Sequence, residues 1–450
     1  MNNKSTDIFQ NAPVPKTVIF NVIPSIVSMM MVLVYNLADT FFIGKTENAL
    51  MVAAVSVATP AFLLFMAIGM LFGIGGTSLI SRMLGEQRED DAKCASSFCF
   101  WTGLCIGIVS LIFMFIFAEP ICMKIGASDD TIEYATLYLR IVSLSIPFLI
   151  LSNSFSNIIR AEGRANIAMS GMIIGNLANI VLDPIMILAF DWNVAGAAIA
   201  TVIGNVLSAA FYFLHLVSKK TMLSIRPKDY RIGGHIALGV FAIGIPASLN
   251  SVLMSVSNIL INKKMSVFGD MAVAGLGVAM KVNMIVVMLL IGLGTGIQPL
   301  LGYCYGAGNR KRYFSVLKFS CLLAFGLSAV MTCICYFGAS GLVKTFLTDA
   351  NAYNYGFSFS RILILSGPIL GLMFVFINAI QSTGAALPSL ILSISRQGLV
   401  YLPILFLIDY YTESAKMLVY AQPITDYAAT TLAAVLLFIT LKKKFAITNS

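Results

Sequence analysis

Charge is scarce in this sequence. Only 29 Lys and Arg and 20 Asp and Glu are spread over 450 residues, 11% of the chain against 58% hydrophobic residues, and the mean hydropathy is +0.90. A water-facing surface needs a charged fraction nearer about 25%, so a soluble enzyme, a nucleic-acid-binding domain and a disordered scaffold are all excluded. Histidine is nearly missing: His215 and His235 are the two, and they lie in different surroundings. The eight cysteines (Cys94, Cys99, Cys105, Cys122, Cys304, Cys321, Cys333 and Cys335) form no CxxC pair and sit mostly inside apolar runs, where they read as small apolar side chains. No HExxH, paired-His or nucleophile motif occurs inside an apolar run, so the chain reads as neither an enzyme nor a cofactor protein. An integral membrane protein remains, and its net charge of +9 follows from topology, because cytoplasmic loops collect Lys and Arg.

Long apolar runs are plentiful. A helix needs about 20 apolar residues to cross roughly 30 Å of hydrocarbon. Twelve such runs occur, near residues 17–43, 52–83, 94–118, 133–160, 166–190, 195–217, 236–263, 272–305, 313–338, 353–380, 387–409 and 417–441. About fifteen mostly polar residues precede the first, without the small-residue cleavage site of a secretory signal, so the first helix is expected to stay. With both termini in the cytoplasm, the inner segments hold 19 of the 29 basic residues and the outer segments six, among them Lys45 and Lys124.

The chain also matches itself at a separation of 221 to 222 residues. Ile23-Pro24 with Val34 and Asn36 aligns with Ile245-Pro246, Val256 and Asn258; Gly73, Gly75 and Gly85 align with Gly294, Gly296 and Gly306; Arg140, Pro147 and Asn157 align with Arg361, Pro368 and Asn378. Six helices per repeat bring both repeats into the membrane from the same side. The expected fold is therefore an all-α membrane protein of twelve transmembrane helices in two six-helix lobes, related by a pseudo-twofold along the membrane normal. The N-lobe is expected over residues 1–217, a cytoplasmic linker with Lys219, Lys220, Arg226, Lys228 and Arg231 over 218–234, and the C-lobe over 235–450.

Acids inside such helices are the first place to look for function, since an Asp at bilayer depth costs roughly 2.5–3.5 kcal/mol on insertion scales. Asp39, in YNLADTFFIG on the first helix, and Asp183, in NIVLDPIMI on the fifth, stand out. Counting 1.5 Å per residue from the outer helix ends puts Asp39, Asp183 and Thr201 of the sixth helix within a turn or two of one level. Asn179 shares a face with Asp183, and Ala197 with Thr201. Two carboxylates, an amide and a hydroxyl suit a hard cation; two close carboxylates also repel until the pair retains a proton, so sodium and proton coupling both fit. A structural role is the alternative: Asp39 at the outer interface, Asp183 capping a break at Pro184. The C-terminal counterparts, Ile261 and, with a short gap, about Leu402, are apolar.

Other polar residues are weaker candidates. Asn153 and Asn157 share a face of the fourth helix, Tyr35 is one turn before Asp39, and Lys281 and Arg396 are candidates for the C-lobe cavity. GIGG at Gly73 and GLGTG at Gly292 lie inside apolar helices and read as close helix contacts, not phosphate loops.

Twelve helices in two repeats, the Ile-Pro of the first and seventh helices, YNLADTFFIG, GTSLISRMLGE, RAEGR and NIVLDPIMI together resemble the multidrug and toxic compound extrusion (MATE) family over essentially the whole chain, in the pattern of its prokaryotic MepA- and DinF-like branches. The resemblance implies an antiporter of the prokaryotic cytoplasmic membrane, without cofactor, that expels small amphipathic, mostly cationic drugs and dyes in exchange for H+ or Na+. It implies coupling through Asp39, Asn179, Asp183, Ala197 and Thr201 and, where the coupling ion is Na+, Asp39, Asn179, Asp183 and Thr201 as its ligands. It also implies that Pro24, Tyr35, Asn36, Asn153 and Asn157 serve bending or the substrate cavity. A monomer is expected, with membrane lipid around it and no nucleic-acid partner. A NorM-like acid is missing from the C-lobe, where the seventh helix offers Ser257 and Asn258 and residues 352–380 hold no acid, so coupling there is not expected. The alternative is a related flippase for a lipid-linked precursor.

Overall fold

The computed structural model describes residues 4–44, 49–125, 130–190, 192–218, 221–347 and 349–447. Lys45, Lys219 and Lys220, counted above for topology, lie outside the described residues. The described residues are nearly all helical and form no strand. Ten helices among them are long and apolar enough to span a membrane, and two bent pairs bring the total to twelve.

In chain order these are α1 (Val14–Gly44), α2 (Ala49–Gly85), α3 (Glu89–Ile116), α4 (Ile132–Ser143 with Ile146–Ala161), α5 (Ala165–Pro184), α6 (Asn193–Val217), α7 (Ile236–Met265), α8 (Asp270–Gly306), α9 (Arg310–Lys344), α10 (Ala350–Ile364 with Gly367–Ser382), α11 (Ala386–Ile394 with Tyr401–Tyr411) and α12 (Ala415–Ile447). Two short helices, Lys4–Asn11 and Ala118–Ile125, lie between or before the spans.

Four spans expected to be continuous are interrupted. α4 bends by 52° and α10 by 48° at equivalent places. Pro147 and Pro368 have no N–H to give the preceding turn. Serine hydroxyls satisfy part of what is freed: Ser143 donates to the Arg140 carbonyl at 2.6 Å and Ser145 to that of Val142 at 2.7 Å. α5 runs on from Pro184 as a π-helical turn, Ile185–Ala189, and α11 contains another, Ser395–Leu399. Such bulges re-aim side chains by one position and are frequent at functional sites.

The halves meet by reciprocal contacts, α1 on α8 and α7 on α2, with α2 also against α8. At the end of the bundle nearest the linker, a Cβ at Gly85 would overlap the carbonyl oxygen of Tyr303, and a Cβ at Gly306 that of Arg82. Gly85 and Gly306 are repeat equivalents, and so are Arg82 and Tyr303, so one contact is made twice across a pseudo-twofold. Ser78 and Arg82 of α2 add hydrogen bonds to the carbonyls of Gln381 and Thr383 at the end of α10, where helical partners run out.

The segments before α1 and α7 cross over in the same way. Phe9 is buried against Tyr303, and Arg312 of α9 donates to the carbonyls of Phe9 and Ala12. Its repeat equivalent in the linker, Tyr230, stacks on Phe98 of α3. The linker is no free polar loop: Met222, Leu223 and Ile225 are buried, and Trp101 donates to the Ile225 carbonyl at 3.0 Å. Fully buried Glu162, after α4, accepts from Thr221 Oγ1 at 2.9 Å and Met222 N at 2.6 Å, with His215 Nε2 at 3.7 Å.

The close approach of α2 and α8 leads to a direct expectation. Gly306→Ala should destabilise the purified protein by about 1–3 kcal/mol through overpacking. Gly326→Ala, on α9 where a Cβ meets nothing within 4 Å, should leave stability unchanged or raise it. Melting temperatures in one detergent compare the two; equal melting would refute the backbone contact.

Candidate functional site

Asp183 is the last residue of α5 before Pro184 and is wholly buried, at 0% exposure. Asn179, one turn earlier, and Thr201 on α6 are buried beside it. The Asn179 amide Nδ2 stands 3.3 Å from Thr201 Oγ1. Turned over, the same amide makes a better set: Nδ2 donates to Asp183 Oδ2 at 2.8 Å and Oδ1 accepts from the Thr201 backbone N–H at 3.0 Å. Amide orientation is assigned from the network, and this one satisfies both ends. Asp183 Oδ1 has no donor in either arrangement.

Asp39 on α1 is half-buried and lies within Coulombic reach of Asp183. Tyr35, one turn before Asp39, is hydrogen-bonded to Thr201 and feels the charge of both acids, as does Tyr138 on α4. Phe42, beyond Asp39, packs on Ile187 of the π-turn and on Ala197, so Ala197 contributes an apolar wall one turn from Thr201. An unpaired carboxylate oxygen in a low-dielectric interior is costly by several kcal/mol, and a proton or a small cation removes that cost.

A cavity of about 110 Å³ adjoins this cluster, reaching it at Tyr35, Asn179 and Thr201. Asn36, Asn153, Asn176 and Asn205 also line it, and among the described residues no basic side chain does. Drug-sized ligands fill roughly 300–1,000 Å³, so in this conformation the cavity is too small for a drug. The other expected residues point elsewhere. Pro24 sits where α1 crosses α8, its carbonyl accepting from Ser28 at 2.8 Å. Asn157 faces Gly73, donating to the Asn153 carbonyl at 2.9 Å and accepting from Arg160 at 3.1 Å. Lys281 lies over the Phe346 ring, in the other half.

Several residues escaped the sequence reading. Asn176 and Asn205 extend the polar faces of Asn179 and Thr201 by one turn each, a spacing that was there to be read. A buried acid in the second half was passed over as well: Asp426 on α12, 2% exposed and paired with Arg396 of the π-turn in α11, Nε to Oδ1 3.3 Å. Around Leu402, the position expected to answer Asp183, α11 is apolar from Leu402 to Ile408.

A model of the MatE family matches residues 24–185 and again 246–407. The chain belongs to the MatE family. Each matched segment of this MatE chain begins at the proline of its Ile-Pro pair. The multidrug export protein MepA of Staphylococcus aureus is 30% identical over 410 residues, 91% of this chain and 90% of its own length. MepA of Staphylococcus saprophyticus is 29% identical over 409 residues, again 91% and 90%. Among solved structures, a MATE transporter in complex with MaL6 superposes with a TM-score of 0.93 at 23% identity, covering 99% of this chain and 100% of that one. A MATE family transporter in an outward-facing conformation gives 0.93, and one in a bent conformation 0.91 at 22% identity, both over 100% of each chain. As a MatE member the chain is a transporter, not an enzyme.

Removing the amide tests the geometry of this MatE site. Asn179→Ala leaves a second carboxylate oxygen of Asp183 unsatisfied and should cost about 1–3 kcal/mol. In an Asp183→Asn background the same change should cost less, with an interaction energy of about 0.5–3 kcal/mol in the double-mutant cycle. Strict additivity of melting or denaturant data would place the two residues out of contact.

Proposed function

We propose that the protein is a cation-coupled multidrug antiporter of the prokaryotic cytoplasmic membrane, exporting amphipathic organic cations by alternating access while H+ or Na+ enters. The observation that carries the reading is the buried Asp183 carboxylate, one oxygen without a donor, set beside Asp39, Asn179 and Thr201 at the edge of the cavity. The relatives named for multidrug export support the substrate class.

Two lobes, residues 1–217 and 235–450, rock about the linker at 218–234, with both termini in the cytoplasm and one chain as the working unit. With the cavity as small as it is here a drug is excluded, and binding of the ion to the acid cluster would neutralise it. When the lobe opens and a bulky organic cation enters against Tyr35, Asn36 and Asn153, its charge replaces the ion's. Each net charge moved inward across about 100 mV supplies roughly 2.3 kcal/mol, close to a fifty-fold gradient, so two ions entering per monovalent drug draw on the potential, whereas a one-for-one exchange draws only on the ion's concentration gradient.

The flippase reading finds less support. A pyrophosphate needs basic groups in the cavity, whereas none of the four candidates Arg140, Lys281, Arg361 and Arg396 lines the cavity of the first half, and Arg396 is ion-paired to Asp426.

Dye efflux from reconstituted vesicles, with sodium and proton gradients imposed separately, identifies the coupling ion. Asp183→Asn should abolish gradient-driven efflux under the effective gradient while the protein still folds and melts cooperatively. Undiminished transport by that variant would remove Asp183 from the mechanism.

A further inference from the structure

Residues that line the cavity in the first half have counterparts in the second that close on one another. At the 221-residue separation, the cavity-lining residues Asn153, Gly175, Thr201 and Asn205 correspond to Phe374, Arg396, Gln422 and Asp426. Those four residues form one connected run of contacts. The Arg396 guanidinium lies over the Phe374 ring, 5.4 Å from its centroid, and its Nε is 3.3 Å from Asp426 Oδ1. Gln422 Nε2 donates to the same oxygen at 3.1 Å, and Ser366 Oγ donates to Oδ2 at 2.8 Å. Arg396 is 7% exposed and Asp426 2%. Tyr401 of α11 is the further titratable group within reach of the carboxylate.

The surroundings hold the pair in place. Ser366 stands at the bend of α10, as its equivalent Ser145 stands at the bend of α4. The π-turn that carries Arg396 is tied to α7, where Ser257 donates to the Gln397 carbonyl at 2.6 Å. An aromatic face on one side and a carboxylate on the other is the environment that a planar organic cation seeks.

We propose that the second half contains a cation site, formed by Asp426, Phe374, Gln422 and Ser366, whose occupant is the protein's own Arg396, and which accepts a free guanidinium-type cation once that side chain is removed. The first half takes an exchangeable cation from outside the chain; the second carries a tethered one in the equivalent space and stays electrically neutral without exchange. Removing Arg396 by itself leaves a buried acid uncompensated, and a small planar cation restores the balance. The inference goes beyond the coupling proposed for Asp39 and Asp183, and its test uses no ion gradient, so either can fail without the other.

The experiment measures melting of the full-length protein in detergent, with millimolar methylguanidinium added against sodium at matched ionic strength. Arg396→Ala should melt below the parent and recover by a few degrees, saturably, with methylguanidinium but not with sodium. The parent protein and Arg396→Ala/Asp426→Asn should not respond. A lack of recovery in Arg396→Ala, or equal recovery when Asp426 is also replaced, would overturn the proposal. Arg396→Ser, which likewise empties the space beside Asp426, serves as the second variant and should show the same selective recovery. If neither single variant folds, the proposal requires that adding Asp426→Asn restores folding; double variants as unfolded as the singles would assign Arg396 to packing alone.

Discussion

Charge in a hydrocarbon interior must be compensated where it stands, and this constraint organises the molecule. Water is too far away to help, and a lone carboxylate at bilayer depth is too costly to keep without a proton, an ion or a basic partner. The two halves solve the same problem differently. Asp183 keeps an oxygen without a donor beside a cavity. Asp426 has each oxygen engaged by Arg396, Gln422 or Ser366. One acid keeps an oxygen without a donor, and the other is closed by the guanidinium of Arg396.

The second organising feature is the reciprocity of the contacts between halves. A repeat that packs against its own copy makes every contact twice, so Gly85 on Tyr303 is answered by Gly306 on Arg82. The segments leading into α1 and α7 follow the same rule, each docked on the half opposite the one it enters, through Phe9 and Tyr230. Backbone contacts this close hold the linker end of the bundle shut without needing buried polar side chains, which leaves the polar residues for the cavity. Any rocking motion has to separate these glycine contacts and bend the chain beside the straps. The positive backbone angles of Gly234 and His235, just before α7, mark a place where the chain turns sharply.

Much of this was legible in the sequence because it is local. The twelve spans follow from runs of apolar residues, and among the described residues their count survives as ten helices long enough to span and two bent pairs. Asn179 and Asp183 share a face because they are four residues apart on one helix, a relation no tertiary contact can change. The same reasoning extended by one turn reaches Asn176 and Asn205. The bends were signalled by Pro147 and Pro368, but their angles and the serine hydroxyls that satisfy them were not. Nor were the π-turns at Ile185–Ala189 and Ser395–Leu399, since only the first follows a proline and neither has a distinct composition.

Sequence alone determined the membrane class, the repeat, the helix count and the acid-bearing faces of α1 and α5, because hydropathy and helical periodicity are properties of consecutive residues. Tertiary structure alone decided which charges are paid for and by what. Asp426 and Arg396 lie thirty residues apart on different helices, and nothing in either segment announces the other. It also decided that the linker is a docked strap, that Asn157 is turned to Gly73 and Lys281 lies over Phe346, and that Tyr35, Asn36 and Asn153 line the cavity of the first half. Electrostatic compensation acts across space, between groups whose separation along the chain is arbitrary, so only packed helices settle it.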